Sequence, residues 1–71
     1  METESLVTPL EAAGLSPYQA EAYVALLELG TASATDVADA SGVPAPRIYD
    51  VLRTLEQRKY IETYEAGSLQ A

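Results

Sequence analysis

The sequence contains no cysteine, histidine, tryptophan or phenylalanine. Without thiols and imidazoles it cannot form disulfides, thiolate nucleophiles or the usual structural zinc sites, and it lacks the commonest general base. Its carboxylates are scattered over helix faces without a glycine-rich phosphate loop or a nucleophile motif, so an enzyme is the least favoured class. We therefore expect no catalytic residues, no cofactor and no metal site.

Long apolar runs are also missing. No segment approaches the run of about 18 apolar residues that a membrane helix requires, and the acidic start at residues 1–4 is unlike a signal peptide. These absences predict a soluble, cytoplasmic protein without a membrane partner. A chain of 71 residues buries only about 60% of its unfolded surface, so we expect a second copy to add to the core as a homodimer.

Positive charge is scarce and concentrated. The chain has four Lys and Arg against eleven Asp and Glu, for a net charge of −7. All four cations lie between residues 47 and 59: Arg47, Arg53, Arg58 and Lys59. This polarity predicts a polyanionic partner. Cations could instead offset the macrodipole at a helix C-terminus, which would explain Arg58 and Lys59 but not Arg47 in the first turns.

The acidity is unusual for a nucleic-acid-binding protein, because such domains are generally basic. The isoelectric point is about 4.1. We interpret it as adaptation to molar salt inside the cell, where the Debye length falls to about 3 Å and surface carboxylates repel DNA only at contact range. The alternative is an acidic protein–protein interaction module or adaptor with no direct DNA contact, and composition alone leaves that alternative open.

Helix start and stop signals divide the first half of the chain. A capping box at 8–11 predicts a short helix over about 9–13, or from Ser5, that ends before Gly14. A second box at 16–19 and Gly30 frame a helix over 17–29. Its predicted core face is Ala20, Tyr23, Val24, Leu26 and Leu27. We interpret Tyr18 and Tyr23 as core or rim packing rather than base stacking, and residues 31–32 as an extended link.

A helix–turn–helix pattern follows. A third capping box at 33–36 opens a brief helix to about Ser41, with Val37, Ala38 and Ala40 facing inward. Gly42 permits the positive φ of a tight turn, and Val43 fills the corner. The turn therefore lies near residues 42–44.

The next helix spans about 45–58 and starts with a Pro-Ala-Pro segment. At helical spacing its core stripe is Ile48, Val51, Leu52 and Leu55. The opposite arc presents Asp50, Arg53, Thr54 and Gln57, with Arg47 and Tyr49 at its flanks. Forked donors of this kind read guanine and adenine edges in the major groove, although an ordinary solvated helix face has a similar composition.

Residues 60–65 have a strand composition, and 66–68 are a turn signal before Leu69, which predicts a hairpin wing over about 60–71. Because Glu62 and Glu65 lie near its tip and it has no cation, we expect weak wing contact with DNA. The predicted fold is mainly α with a small β-hairpin, a single winged helix–turn–helix domain over 1–71.

Three segments, 14–23, 26–30 and 47–56, resemble the winged helix–turn–helix domain of the TrmB family of archaeal transcription regulators. The resemblance covers about residues 6–66, and the low lysine content is similar to that of members from salt-loving archaea. It implies a usually dimeric, sequence-specific DNA-binding regulator in which Arg47, Tyr49 and Arg53 contact the groove or phosphates. Larger members add a coiled coil and a sugar-binding domain that this chain does not contain, so effector sensing is not carried over and the effector stays unknown. Because the returning strand of the wing is only two or three residues long, we expect either a truncated chain or a minimal member.

The predicted function is therefore sequence-specific binding of double-stranded DNA by a homodimer on a pseudo-palindromic site. Candidate dimer contacts are Leu6, Val7, Leu10 and the C-terminal residues. The predicted DNA-contacting residues lie on the recognition helix and its end: Pro46, Arg47, Tyr49, Asp50, Arg53, Thr54, Gln57 and Arg58.

Overall fold

The computed structural model describes residues 7–64 and 67–71. Three of its four helices pack around the remaining one, the second in chain order. The elements in chain order are α1 (Val7–Ala12), α2 (Pro17–Leu29), β1 (Thr31–Ala32), α3 (Ala34–Ser41), α4 (Ala45–Gln57), β2 (Glu62–Thr63) and β3 (Leu69–Gln70). Helix α2 contacts each of the other three helices. The strands form an antiparallel sheet in the order β1-β3-β2. The mainly helical winged helix–turn–helix fold is confirmed.

The core of the described residues is entirely apolar, and no polar or charged side chain among them is buried. Its largest fully buried side chains are Leu26, Ile48, Val37 and Leu55. Hydrophobic burial, at about 25 cal/mol per Å² of apolar surface, is therefore the force that fixes the helices relative to one another. Every polar group with a potential binding role lies at the surface.

Helix α2 has the predicted bounds because both of its ends are capped. Ser16 N–H donates to Gln19 Oε1 at 3.0 Å, and Gln19 N–H donates to Ser16 Oγ at 3.2 Å. The predicted inward face is wrong at Leu27, whose side chain is 42% exposed, while Ala22 and Ala25 are buried. Because α2 is enclosed by three helices, small alanines fill the close contacts that a search for large apolar residues overlooks.

Helix α1 begins before the first of its two predicted starts, about residue 9, since Thr8 lies inside it rather than at its cap. Proline is tolerated in a first turn because its missing N–H would have no partner there, so Pro9 does not mark the first residue. Ser5 and Leu6 lie outside the described residues. Val7 and Leu10, expected at a dimer contact, are half-buried against the core of their own chain.

The helix–turn–helix segment agrees with the prediction except at one residue. Ser33 Oγ accepts the N–H of Asp36 at 3.2 Å, and Gly42 adopts a left-handed conformation with φ of 80°. Val43 is buried in the corner. Ala40, which was expected to face inward, is exposed, because the eight-residue helix turns only one narrow face to the core.

The wing is a three-stranded sheet rather than the predicted hairpin alone. Residues 31–32 do not form a link but pair with β3, which also pairs with β2. Strand β2 is shorter than predicted because the chain first completes the α4 C-terminus. Lys59 has φ of 67°, and Tyr60 N–H donates to Leu55 O at 2.9 Å. Glu65 and Ala66, predicted at the tip and turn, lie outside the described residues.

Each helix within residues 7–64 and 67–71 is too short or too polar to cross a bilayer.

Lys59 is in a backbone conformation that costs an L-residue roughly 1–2 kcal/mol and that glycine adopts freely. We predict that Lys59→Gly is more stable than Lys59→Ala by about 1 kcal/mol, measured as the free energy of urea unfolding. Both variants lose the same charge, so their difference isolates the backbone effect. Equal stability would show that Lys59 is not strained.

Candidate nucleic-acid interface

The exposed face of α4 is the site that the sequence predicts, and the fold determines its orientation. The core stripe on the other side of α4, Ile48, Val51, Leu52 and Leu55, is at least 93% buried at each residue, and Leu55 is fully buried. The remaining surface presents six of the predicted contacts as exposed side chains, with Thr54 half-buried: Pro46, Arg47, Tyr49, Asp50, Arg53 and Gln57. Tyr49 is 63% exposed, more than any other large apolar side chain in the described residues.

Arg53 and Asp50 form an ion pair at the centre of this face. The Arg53 Nη1 to Asp50 Oδ1 distance is 3.6 Å, and the side chains are 66% and 73% exposed. A solvated pair of this kind contributes at most about 1 kcal/mol. Both groups can therefore exchange the pair for a stronger partner.

Arg47 lies at the edge of the face that borders α2. Its guanidinium carbon is 5.9 Å from the centroid of the Tyr18 ring, a cation–π distance. Tyr18 is 40% exposed, as expected of a residue at the rim of the packing. Sequence reasoning did not place Tyr18 at the site, because the contact joins residues far apart in the chain and no local spacing signals it.

Arg58 is placed differently from the other predicted contacts. Its Nη1 donates to Gly14 O at 3.2 Å, and its guanidinium lies 5.6 Å from the Tyr60 ring centroid. Tyr60 in turn packs edge-on against Tyr23, with centroids 5.4 Å apart. Arg58 thus joins the α1–α2 corner to the end of α4, and its donors are partly committed within the chain.

The other edge of the face borders the wing. Tyr49, Arg53, Glu56 and Thr63 line a groove of about 280 Å³ between α4 and the sheet. This groove is shallow and open to solvent. Tyr49 and Arg53 line it from α4, and Thr63 lines it from β2.

The wing sequence, residues 60–71, is acidic and contains no Lys or Arg. The Tyr64 hydroxyl donates to Glu62 Oε1 at 2.8 Å. This hydrogen bond, together with the charge of Glu62, raises the pKa of Tyr64 above its usual value, so the hydroxyl remains protonated near neutral pH. Within residues 7–64 and 67–71 no group of three acidic side chains is placed to hold a metal ion.

The sequence model of the family described as sugar-specific transcriptional regulator TrmB matches residues 10–68. The chain belongs to the TrmB family. The matched region contains α2, the helix–turn–helix and most of the wing.

Individual TrmB relatives agree with this assignment. The chain is 42% identical over 62 residues to the HTH-type sugar sensing transcriptional regulator TrmBL1 of Pyrococcus furiosus, covering 87% of this chain and 18% of that protein. It is 50% identical over 46 residues to the DNA-binding HTH-type transcriptional repressor TrmBL2 of Thermococcus kodakarensis, covering 65% of this chain and 17% of that protein. The chain thus spans less than a fifth of these relatives.

A solved TrmB-family structure supports the fold. A structure of TrmBL2, described as an archaeal chromatin protein with a novel mode of DNA binding, superposes with a TM-score of 0.89 at 37% identity. The match covers 99% of this chain and 28% of that one.

The contact of Arg58 with Gly14 predicts a structural role. We expect Arg58→Ala to lower the free energy of unfolding by about 1 kcal/mol, since one hydrogen bond from a charged donor and a ring contact are lost. The matched control is Arg53→Ala on the same helix, which should change stability by less than about 0.5 kcal/mol because its pair is exposed. Equal effects in thermal unfolding would contradict this role.

Proposed function

We propose that this chain is the DNA-binding unit of a TrmB-family transcription regulator. Helix α4 enters the major groove, and two copies bind a pseudo-palindromic site with their recognition helices about 34 Å apart. The observation that supports this proposal most directly is the orientation of α4, whose aliphatic stripe is buried while Arg53 projects from the opposite surface and Arg47 is exposed on the flank toward α2.

Arg53 is the proposed base-reading residue. It lies near the middle of the exposed face, and its forked donors can bond guanine O6 and N7 together. The ion pair with Asp50 at 3.6 Å keeps the guanidinium on this face in the free protein. Gln57 and Tyr49, both exposed, add polar contacts on either side.

The charge balance limits how the chain binds DNA. With a net charge of −7 and only four cations, it cannot draw most of its affinity from phosphate neutralisation, which dominates in basic DNA-binding proteins. Base contacts and shape fit must contribute a larger share. High intracellular salt screens the repulsion between carboxylates and DNA, and adaptation to it would likewise favour affinity from base contacts over affinity from phosphate neutralisation.

The relatives support regulation, and chain size supports dimerisation. Proteins similar to this chain are described as transcriptional regulators and as a DNA-binding repressor. Because the matched region is less than a fifth of each of these relatives, the sugar sensing named for TrmBL1 is not transferred to this chain. A small core that gains from a second copy supports the proposed dimer.

Arg53→Ala tests the base-reading role. We expect this variant to lose about 1–3 kcal/mol of discrimination between its preferred sites and random DNA. Fluorescence anisotropy with sites selected from genomic fragments measures both affinities. Arg53→Lys is the matched control, because it keeps the charge but cannot make the bidentate contact.

Unchanged discrimination in Arg53→Ala would rule out base reading by this residue. If the parent chain itself shifts no genomic fragment but captures a protein partner, the acidic interaction module replaces the DNA-binding proposal.

The scarcity of cations also predicts a shallow salt dependence. Each neutralised phosphate contributes about 0.9 to the slope of log K against log[KCl], so the four cations limit the slope to roughly 3.6 per bound chain. Titrations in increasing KCl measure it. A steeper slope would mean that binding does not proceed through these side chains alone.

A further inference from the structure

We propose that Arg47 binds a DNA backbone phosphate and that Tyr18 of α2 is the residue that positions it. This inference rests on the proposed function and assigns base reading and backbone binding to different parts of the α4 surface. The central face reads bases, while the cleft between the starts of α2 and α4 holds the backbone.

The cleft is formed by two helix starts that lie side by side. Ser16, Pro17, Tyr18 and Arg47 line a space of about 290 Å³ that opens to solvent. The guanidinium lies 5.9 Å from the Tyr18 ring centroid. Within the described residues Arg47 makes no ion pair, so its charge is not neutralised by a carboxylate of its own chain.

The position of Arg47 around α4 separates it from the base-reading face. At about 100° per residue, Asp50, Arg53 and Gln57 lie within roughly 30° of the direction opposite the buried stripe. Arg47 lies roughly 90° from that direction, on the flank toward α2. The flank of a helix in the major groove faces the sugar-phosphate backbone, and contacts there set position rather than sequence.

The two arginine–tyrosine pairs found among the described residues, Arg47 with Tyr18 and Arg58 with Tyr60, differ in one respect. Arg58 also lies over a ring, that of Tyr60, but its Nη1 is bonded to Gly14 O at 3.2 Å. Arg47 has the ring contact, and its guanidinium has no acceptor among residues 7–64 and 67–71. The Arg58 guanidinium already donates to an acceptor within the protein, whereas the Arg47 guanidinium can donate to an external acceptor such as a phosphate.

The contact with Tyr18 is compatible with phosphate binding by Arg47. A cation–π contact uses the face of the guanidinium, while bidentate hydrogen bonding to phosphate uses its edge. The ring therefore restricts the side chain without occupying its donors. Because the restriction precedes binding, less side-chain entropy is lost when a phosphate arrives.

The test compares four variants of the full chain on a pool of random-sequence duplexes and on a preferred genomic site. We expect Arg47→Ala to weaken binding to both DNAs alike, by roughly tenfold or more, and to lower the salt slope by about one. Tyr18→Leu should weaken both about two- to fivefold, which is the usual strength of an exposed cation–π contact. Two further variants are controls.

Tyr18→Phe keeps the ring and should bind as the parent does. Lys59→Asn removes one positive charge away from the cleft and controls for net charge, and asparagine tolerates the positive φ of this position.

The double variant Arg47→Ala/Tyr18→Leu decides whether the two residues act together. If Tyr18 acts through Arg47, the double variant should bind no more weakly than Arg47→Ala alone. Additive losses, a loss in Tyr18→Phe equal to that in Tyr18→Leu, or a loss of sequence discrimination in Arg47→Ala would each overturn the inference. Circular dichroism confirms that each variant is folded. A parent chain that binds no DNA would refute the proposed function instead.

Discussion

The burial of one aliphatic stripe on α4 determines the rest of this structure. Ile48, Val51, Leu52 and Leu55 pack into a core that α2 supplies largely with alanines. Small side chains let the helices approach closely, so the rotation of α4 about its axis is fixed by packing. That rotation places Arg53 outward and Arg47 against α2. A polar residue in the stripe would disturb both the fold and the face proposed to meet DNA.

The scarcity of cations gives each of them a separate task. Arg53 pairs with an exposed carboxylate, Arg47 lies on a tyrosine ring, and Arg58 bonds a backbone carbonyl. Lys59 ends α4 in a left-handed conformation. In a basic DNA-binding domain one cation can substitute for another, whereas in a chain with four cations and a net charge of −7 the proposed DNA binding depends on how each cation is oriented. Orientation is set here by neighbouring aromatic and backbone groups.

Local signals predicted most of the fold. The bounds of α2 and the left-handed Gly42 follow from capping residues and turn chemistry that act within a few residues. The errors arose where distant residues decide the outcome. Ala22 and Ala25 are buried because three helices surround α2, and Leu27 is exposed because none of the described elements covers it. Residues 31–32 form a strand only because β3 returns beside them.

The sequence by itself determined the helix–turn–helix and the concentration of positive charge in residues 47–59, because composition, capping and periodicity are properties of neighbouring residues, and the resemblance of three segments indicated the family. The tertiary structure alone decided which arginines are open to a ligand. Arg47 and Arg58 both lie on the α2 side of α4 and both contact a tyrosine, yet in the part of the chain that the structure describes only Arg58 donates to a carbonyl, that of Gly14. That difference depends on how the α1–α2 corner packs against the end of α4, which is a relation between segments distant in the chain.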